Sequence, residues 1–552
     1  MGALTGGCIG LGRNRFVAVV MAATVVAGCA RYERSADAGG KASAPSPVLR
    51  VGNYDEPEDL DPQIVTGVPE HRIDMALFEG LATEDPKDLH PIPGLAISWE
   101  ISTDGCLYTF HLRPNLRWSD GEPIVAGDFI KSYQRMLTPS LGTQYAYLLW
   151  FVKGARDFTE GRLKDFSQVG FSASDPLTLR VSLDHPTPFL LKIIASHQAW
   201  DLVPTRVIAR FGPIDQRGTP WTRAGNLVGN GPYMLKEWTQ NQRIIVVRNP
   251  YYWDAANVKL DEIQFFPTQD IPAEERMFRT GQLDITAMLP SSKIDVYRKE
   301  RPLDLHIDRY AGISYSRFNV KEAPFNDRRV RKALSLAINR EALTRDVMRG
   351  GESPMYAVSY PNDSGYTPEA RLSGGVTEAR SLLAEAGYPG GQGLPKIKLL
   401  YNTSETNRSL AEAIQAMWRT NLGFEAELEN QEWKVYLDSL RSHHFQLIRS
   451  GWIADYEDPN VFLEIFTTGN GNNEGEWSNA EYDRLAAAAL AAHSEAERYA
   501  NYQKMDAILV EECPILPIYY YTHPYAMSPR VKGYWDTLLD NHPWKSVWLD
   551  SH

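Results

Sequence analysis

The chain has 552 residues, 43% hydrophobic and 23% charged, ordinary proportions for a globular protein of several domains. Its formal charge is −12, from 57 basic and 69 acidic side chains. That balance argues against a general nucleic-acid binder, which needs a basic surface to displace counterions.

The N-terminus reads as an export signal. Arg13 and Arg15 form a cationic stretch, and Phe16 to Val26 form an apolar run of signal-peptide length. The run ends in Val26-Ala27-Gly28-Cys29, which resembles a bacterial lipobox. Residues 1–28 are therefore expected to be a lipoprotein signal and Cys29 the acylated residue; a chance cysteine after an ordinary signal is the alternative. Two or three acyl chains hold a protein stably on a membrane where one does not. Residues 29–47, rich in Ala, Gly, Ser and Pro, read as a flexible tether. No later run approaches the ~20 apolar residues of a spanning helix, so the body is expected outside the cytoplasm, tied down at one end.

From Val48 strand and helix patterns mix. Val48–Gly52 and Leu107–Leu112 read as strands, as do Leu177–Leu183 and Arg243–Val247. Glu70–Phe78 and Ala126–Leu137 have helical spacing, with Gly80 and Pro139 as stops. The second half is more helical. Asn326 or Asp327 caps a run with Val330, Ala333, Leu334, Ala337 and Ile338 on one face. Thr377–Ala386 is stopped by Gly387, and Ser409–Asn421 and Asn479–Ala492 follow. Ile397–Tyr401, Phe424–Leu428 and Phe445–Ile448 are strands between them. There is no internal repeat and no strict βαβα beat.

Enzyme motifs are missing: no Gly-x-Ser-x-Gly, His-Glu-x-x-His, Walker loop or dinucleotide fingerprint occurs. The cysteines at 8, 29, 106 and 513 lack zinc or redox spacing; Cys106 and Cys513 can pair or be two buried thiols. His443-His444 on a strand would point to opposite faces, so no metal site is expected. Gly451-Trp452-Ile453-Ala454-Asp455-Tyr456-Glu457-Asp458-Pro459 is the hardest stretch to place. Taken alone, its Asp and Pro content favours a solvent-facing turn; the alternative is a carboxylate set in an apolar wall, waiting for a cation.

Several stretches, in order over some 400 residues, carry a resemblance to the bacterial oligopeptide-binding proteins, the solute-binding subunits of peptide ABC importers. They are Leu77–Leu81, Tyr108–Arg113 with Trp118–Gly121, Gly229–Tyr233, Pro324–Arg331, Leu383–Tyr388, Leu400–Ser404, Asn430–Lys434 and Gly451–Pro459. The resemblance implies an α/β, two-lobed flytrap fold with a domain inserted in the first lobe. Its segments would be 48–79, 205–306 and 522–552 for lobe I, 80–204 for the insert and 307–521 for lobe II.

It also implies a monomer that binds short peptides and delivers them to a membrane permease, without catalysis, cofactor or metal. Asp455 would pair with the peptide ammonium, helped by Tyr145 and by main-chain groups of Gly67-Val68-Pro69. Peptide main chain would be paired as an added strand, with Trp433, Trp452, Tyr315 and Tyr521 walling the side-chain pockets. Of the family's cations for the peptide carboxylate, Arg449 is retained. Three other positions carry Met348, Asn407 and Leu440, with Arg349, Arg408 and Arg441 beside them, and Thr66 stands where the family has Glu. The altered end leaves a cell-wall peptide or a non-peptide solute as an alternative ligand, and a secreted hydrolase as the alternative class.

Overall fold

The computed structural model describes residues 48–361, 365–492 and 494–550. The expected signal, tether and Cys29 lie outside them, and among the described residues no helix is long and apolar enough to cross a membrane.

Three sheets carry the architecture. In the first, Val48–Gly52 runs parallel to Glu262–Phe266, followed antiparallel by Arg243–Arg248 and Tyr233–Thr239. In the second, Leu107–Leu112 buries Tyr108, Phe110 and Leu112 and leaves the residues between them half-exposed. It is flanked by Ala96–Ile101 and Thr178–Ser182, with Phe171–Asp175 at the edge. The helix Ala126–Leu137 packs Phe129, Tyr133, Met136 and Leu137 into the same core.

The third sheet has six strands, in the order 353–354, 515–526, 305–318, 447–453, 398–402 and 427–431. Its helices Arg328–Leu336, Val376–Glu385 and Glu405–Leu422 bury Val330, Leu334, Leu383, Ile414 and Trp418. Asp327 caps the first, accepting from Arg329 N at 2.9 Å, and Gly423, at φ 79°, ends the third. The fold is α/β and two-lobed.

Two long strands of the third sheet pair with each other. Leu305–Phe318 and Ile515–Ala526 are antiparallel over most of their length. Their register shifts between Arg309 and Ile313, so Leu305–Arg309 pairs with Thr522–Ala526 and Ile313–Arg317 with Ile515–Tyr520. A shift of this kind bends a ribbon locally.

Several expectations move. Phe424–Leu428 gives way to Glu427–Gln431, a polar edge strand, and the strand begun at Phe445 runs instead from Leu447 to Ile453. His443 and His444 lie in the turn after Trp433–Arg441 rather than on a strand. The helix Glu495–Glu512 was not legible, because its buried face includes Arg498 and Asp506 and so breaks the apolar period. Cys106 and Cys513 are both free; only Cys513 is buried.

Candidate functional site

The strand Leu447–Ile453 has an ordinary start and an unusual finish. On one side it pairs antiparallel with Leu305–Phe318 over its whole length, from Leu447 against Phe318 to Ile453 against Gly312. On the other side the parallel strand Lys398–Asn402 meets only Leu447 and Ile448. From Arg449 to Ile453 the second edge is therefore open. Gly451, Trp452 and Ile453 on that edge line two cavities, of about 340 and 310 Å3.

Beyond Ile453 the chain leaves the sheet in a bend held from several sides. Ala454 N donates to Ala311 O at 2.8 Å. Ser196 Oγ donates to Asp455 O at 3.1 Å, and Lys192 Nζ to Glu457 O at 2.8 Å, both from the helix Leu190–Ser196. The Tyr456 ring stacks on Phe189 at 5.3 Å. The stretch is thus packed against Phe189 and the helix Leu190–Ser196 and is not a solvated turn.

Its acids have different fates. Asp458 and Arg498 form an ion pair, both fully buried. Glu457 lies 3.9 Å from Lys192 Nζ. Asp455, with 16% of its side chain exposed, has only His197 Nε2 at 4.0 Å. Burial pushes His197 down to about 3, aided by the nearby His71, so the imidazole is neutral at physiological pH. Asp455 therefore has no protein cation among the described residues. Burial raises its carboxyl to about 6, partly offset by Tyr147 Oη, which donates to Oδ2 at 3.0 Å.

The remaining expected residues divide. Tyr145 lines the same cavity with its ring on His197 at 4.3 Å, but the hydrogen bond to Asp455 comes from Tyr147. Both sit on one 3-10 helix, Gln144–Leu149, and nothing in the sequence separates them. Val68 is half-exposed and lines the Asp455 cavity with Gly67, which caps the helix Val68–Leu77. Trp452 lines both cavities, and its buried Nε1 has no partner. Trp433 opens the helix Trp433–Arg441; its side chain lies outside those described.

Tyr315 departs from expectation. It is fully buried and accepts a hydrogen bond from Arg317 Nη2 at 2.7 Å, lining neither cavity. Its strand neighbours on both sides enclose it. Sequence reasoning also passed over His197, Arg72, Tyr310 and Asp540, which complete the Asp455 cavity. Asp540 pairs with Arg72 at 3.6 Å and with His523 and His542 at 2.8 and 3.0 Å.

The second cavity surrounds Arg449. Its Nη2 donates to Tyr521 Oη at 2.5 Å, its buried Nε has no partner, and no carboxylate pairs with it among the described residues. Leu440, Tyr436 and the Arg317–Glu474 ion pair complete the lining. The arginines beside the other altered positions are engaged elsewhere: Arg349 with Asp295 at 2.5 Å, Arg408 with Glu412 at 2.8 Å. Asn407 is buried on Asn402. Asp455, unpaired with any cation among the described residues, thus stands at one end of an open strand edge, and Arg449, unpaired with any carboxylate among them, at the other.

The chain is similar over most of its length to known bacterial solute-binding proteins. A family model described as "Bacterial extracellular solute-binding proteins, family 5 Middle" matches residues 90–474. The chain is 34% identical to the periplasmic oligopeptide-binding protein OppA of Escherichia coli K12, over 98% of this chain and 99% of that one. Among solved structures, the Escherichia coli murein tripeptide binding protein MppA superposes with a TM-score of 0.79 at 34% identity, covering 92% of this chain and 99% of its own. Haemophilus influenzae OppA in complex with RPPGFSPFR gives 0.76 at 32%, covering 92% and 99%.

Proposed function

The chain belongs to the family 5 bacterial extracellular solute-binding proteins, and from that premise we propose that it is exported, binds short peptides outside the cytoplasm and hands them to a membrane ABC transporter. The observation that carries this reading is Asp455. A buried carboxylate without a protein cation is costly, and a peptide ammonium removes that cost. Arg449 takes the opposite end of the ligand. The open edge from Arg449 to Ile453 offers main-chain groups to the peptide backbone, so affinity depends little on side-chain identity. Tyr145, Tyr147 and Val68 complete the amino end; Trp452, Trp433 and Tyr521 wall the pockets.

The lobes close by bending at the strands Leu305–Phe318 and Ile515–Ala526, a reading supported by the register shift after Arg309. The segments are 48–79, 205–306 and 522–552 for lobe I, 80–204 for the insert, and 307–521 for lobe II. Ligand must favour the closed arrangement for the lobes to stay shut. The protein works as a monomer, anchored through acylated Cys29; a Cys29→Ala variant released from membranes supports the anchor, and one that stays bound overturns it.

The decisive experiment is mass spectrometry of ligands released by denaturation, with calorimetry using the same peptides. Recovery of intact short peptides supports binding; cleaved products from a peptide library would point to a hydrolase. A second reading, a cell-wall peptide, is favoured by Leu440, which lines the Arg449 cavity where the resemblance expects an arginine. Titration with a murein tripeptide beside a standard tripeptide separates the two.

A further inference from the structure

Beside the Asp455 cavity lies a smaller one of about 60 Å3. His71, Met75, Ser196, His197 and Gln198 line both and form the wall between them. The rest of the small cavity is acidic, with Glu79, Glu84 and Asp201 in its lining. Glu79 follows the helix Val68–Leu77, Glu84 ends the short strand Ala82–Glu84, and Asp201 closes the 3-10 helix Gln198–Trp200. Three separate elements thus bring carboxylates to one small space.

The three differ in what they already hold. Glu79 is spent, accepting from Trp253 Nε1 at 2.6 Å and from Tyr252 Oη. Glu84 is only 4% exposed; its Oε2 accepts from Asn541 Nδ2 at 2.9 Å, and its buried Oε1 has no partner. Asp201 forms neither an ion pair nor a side-chain hydrogen bond among the described residues. Asp74, close enough to feel the Asp201 charge, is fully buried with both carboxylate oxygens unpartnered. Burial raises all four carboxyls, that of Glu84 to about 8, and like charges add to the shifts of Asp201 and Asp74.

The histidines in the wall do not supply the missing cation, because burial pushes both His71 and His197 down. Nor are they free ligands. The His71 nitrogens are taken by Gln198 Oε1 and Asn541 Oδ1, and His197 Nδ1 accepts from Ala199 N at 3.0 Å. The C-terminal end of the helix Val68–Leu77, whose cap Phe78 lines the cavity, adds partial negative charge.

We propose that this cavity is a calcium site, held by Glu84 Oε1 and the Asp201 carboxylate with water completing the shell. The ligand atoms left over are all oxygen, which selects a hard cation over zinc or copper. An irregular shell suits Ca2+ better than Mg2+, which demands near-ideal octahedral geometry. Among the described residues no three acids or imidazoles of this cavity bring ligand atoms within 4.8 Å of one another. Water therefore supplies most of the shell, and the cavity has room for it. A site so hydrated should bind with a Kd of about 0.1–1 mM.

The test is calorimetry of the full chain, stripped with EGTA and desalted, titrated with Ca2+ and separately with Mg2+. One Ca2+ should bind per chain, with Mg2+ weaker by roughly tenfold or more. Glu84→Gln and Asp201→Asn should each weaken Ca2+ by roughly tenfold or more. Both substitutions keep shape and remove buried charge, so without metal neither variant should melt below the wild type. At a hundredfold excess over Kd, Ca2+ should raise the wild-type melting temperature by about 2–3 °C and that of the variants far less. Asp88→Asn is the control, because Asp85, Asp88 and His90 form a separate exposed cluster of metal-ligating type; it should bind Ca2+ like the wild type. No Ca2+ binding by the wild type, full-strength binding in either cavity variant, or loss in Asp88→Asn overturns the site. Mg2+ binding as tight as Ca2+ overturns the choice of calcium. A wild type indifferent to Ca2+, with both variants melting higher, shows that the carboxylates hold protons instead.

Discussion

Replacing Asp455 with asparagine should push stability and binding in opposite directions. In the unliganded fold, burial raises the carboxyl from 3.8 to about 6. At about 1.36 kcal/mol per unit, the ionised group opposes folding by roughly 3 kcal/mol. The folded value lies above the unfolded one, so the penalty is absent below the unfolded value, grows between the two and is complete above about 6. Asparagine keeps the shape and an acceptor for Tyr147 but carries no charge. At pH 7 the stripped variant should therefore melt about 2–3 °C above the wild type, and at pH 3 the two should coincide. With ligand the sign reverses. The peptide ammonium loses its buried partner, costing on the order of 3–5 kcal/mol, or a few hundredfold or more in affinity.

Scanning calorimetry of protein refolded free of ligand measures the first quantity, and titration with a tripeptide the second. Acetylating the peptide N-terminus completes a cycle: it should weaken binding to the wild type as much as the substitution does, and cost the variant little more. A stripped variant that melts lower at pH 7, or binds the free tripeptide like the wild type, would refute the assignment of Asp455 as a cation-seeking carboxylate.

Other outcomes follow from neighbouring contacts. Tyr147→Phe removes the 3.0 Å donor to Asp455 and should weaken tripeptide binding by roughly tenfold, whereas Tyr145→Phe, with no bond to Asp455, should change it far less; equal effects would contradict the division between them. Because bound ammonium keeps Asp455 ionised while the free carboxyl titrates near 6, affinity should fall by about tenfold per pH unit below 6. Calorimetry in two buffers of different ionisation enthalpy should then register proton release at pH 5 and little at pH 7.5. Arg498→Met leaves Asp458 buried without its cation and should cost about 3–5 kcal/mol of stability, read as a lower melting temperature with tripeptide affinity largely retained.

Much of this protein was written in local sequence. Leu107–Leu112 and Ala126–Leu137 have the bounds their periodicity implied, because half-buried strands and amphipathic helices print their period on the chain. The Glu495–Glu512 helix did not, since its buried face carries Arg498 and Asp506, whose partners are remote in sequence. The order of the matching stretches gave the family and singled out Asp455 and Arg449. Local sequence could not say that Asp455 is walled in, because that depends on a helix some 260 residues earlier, whose Ser196 and Lys192 hold the bend. Nor could it choose Tyr147 over Tyr145, two similar residues on one short helix, or foresee that Tyr315 is enclosed between strands. Pattern determines which faces of each element seek apolar contact; whether a carboxylate there finds a cation is decided by which distant elements meet around it, and that is a property of the tertiary structure alone.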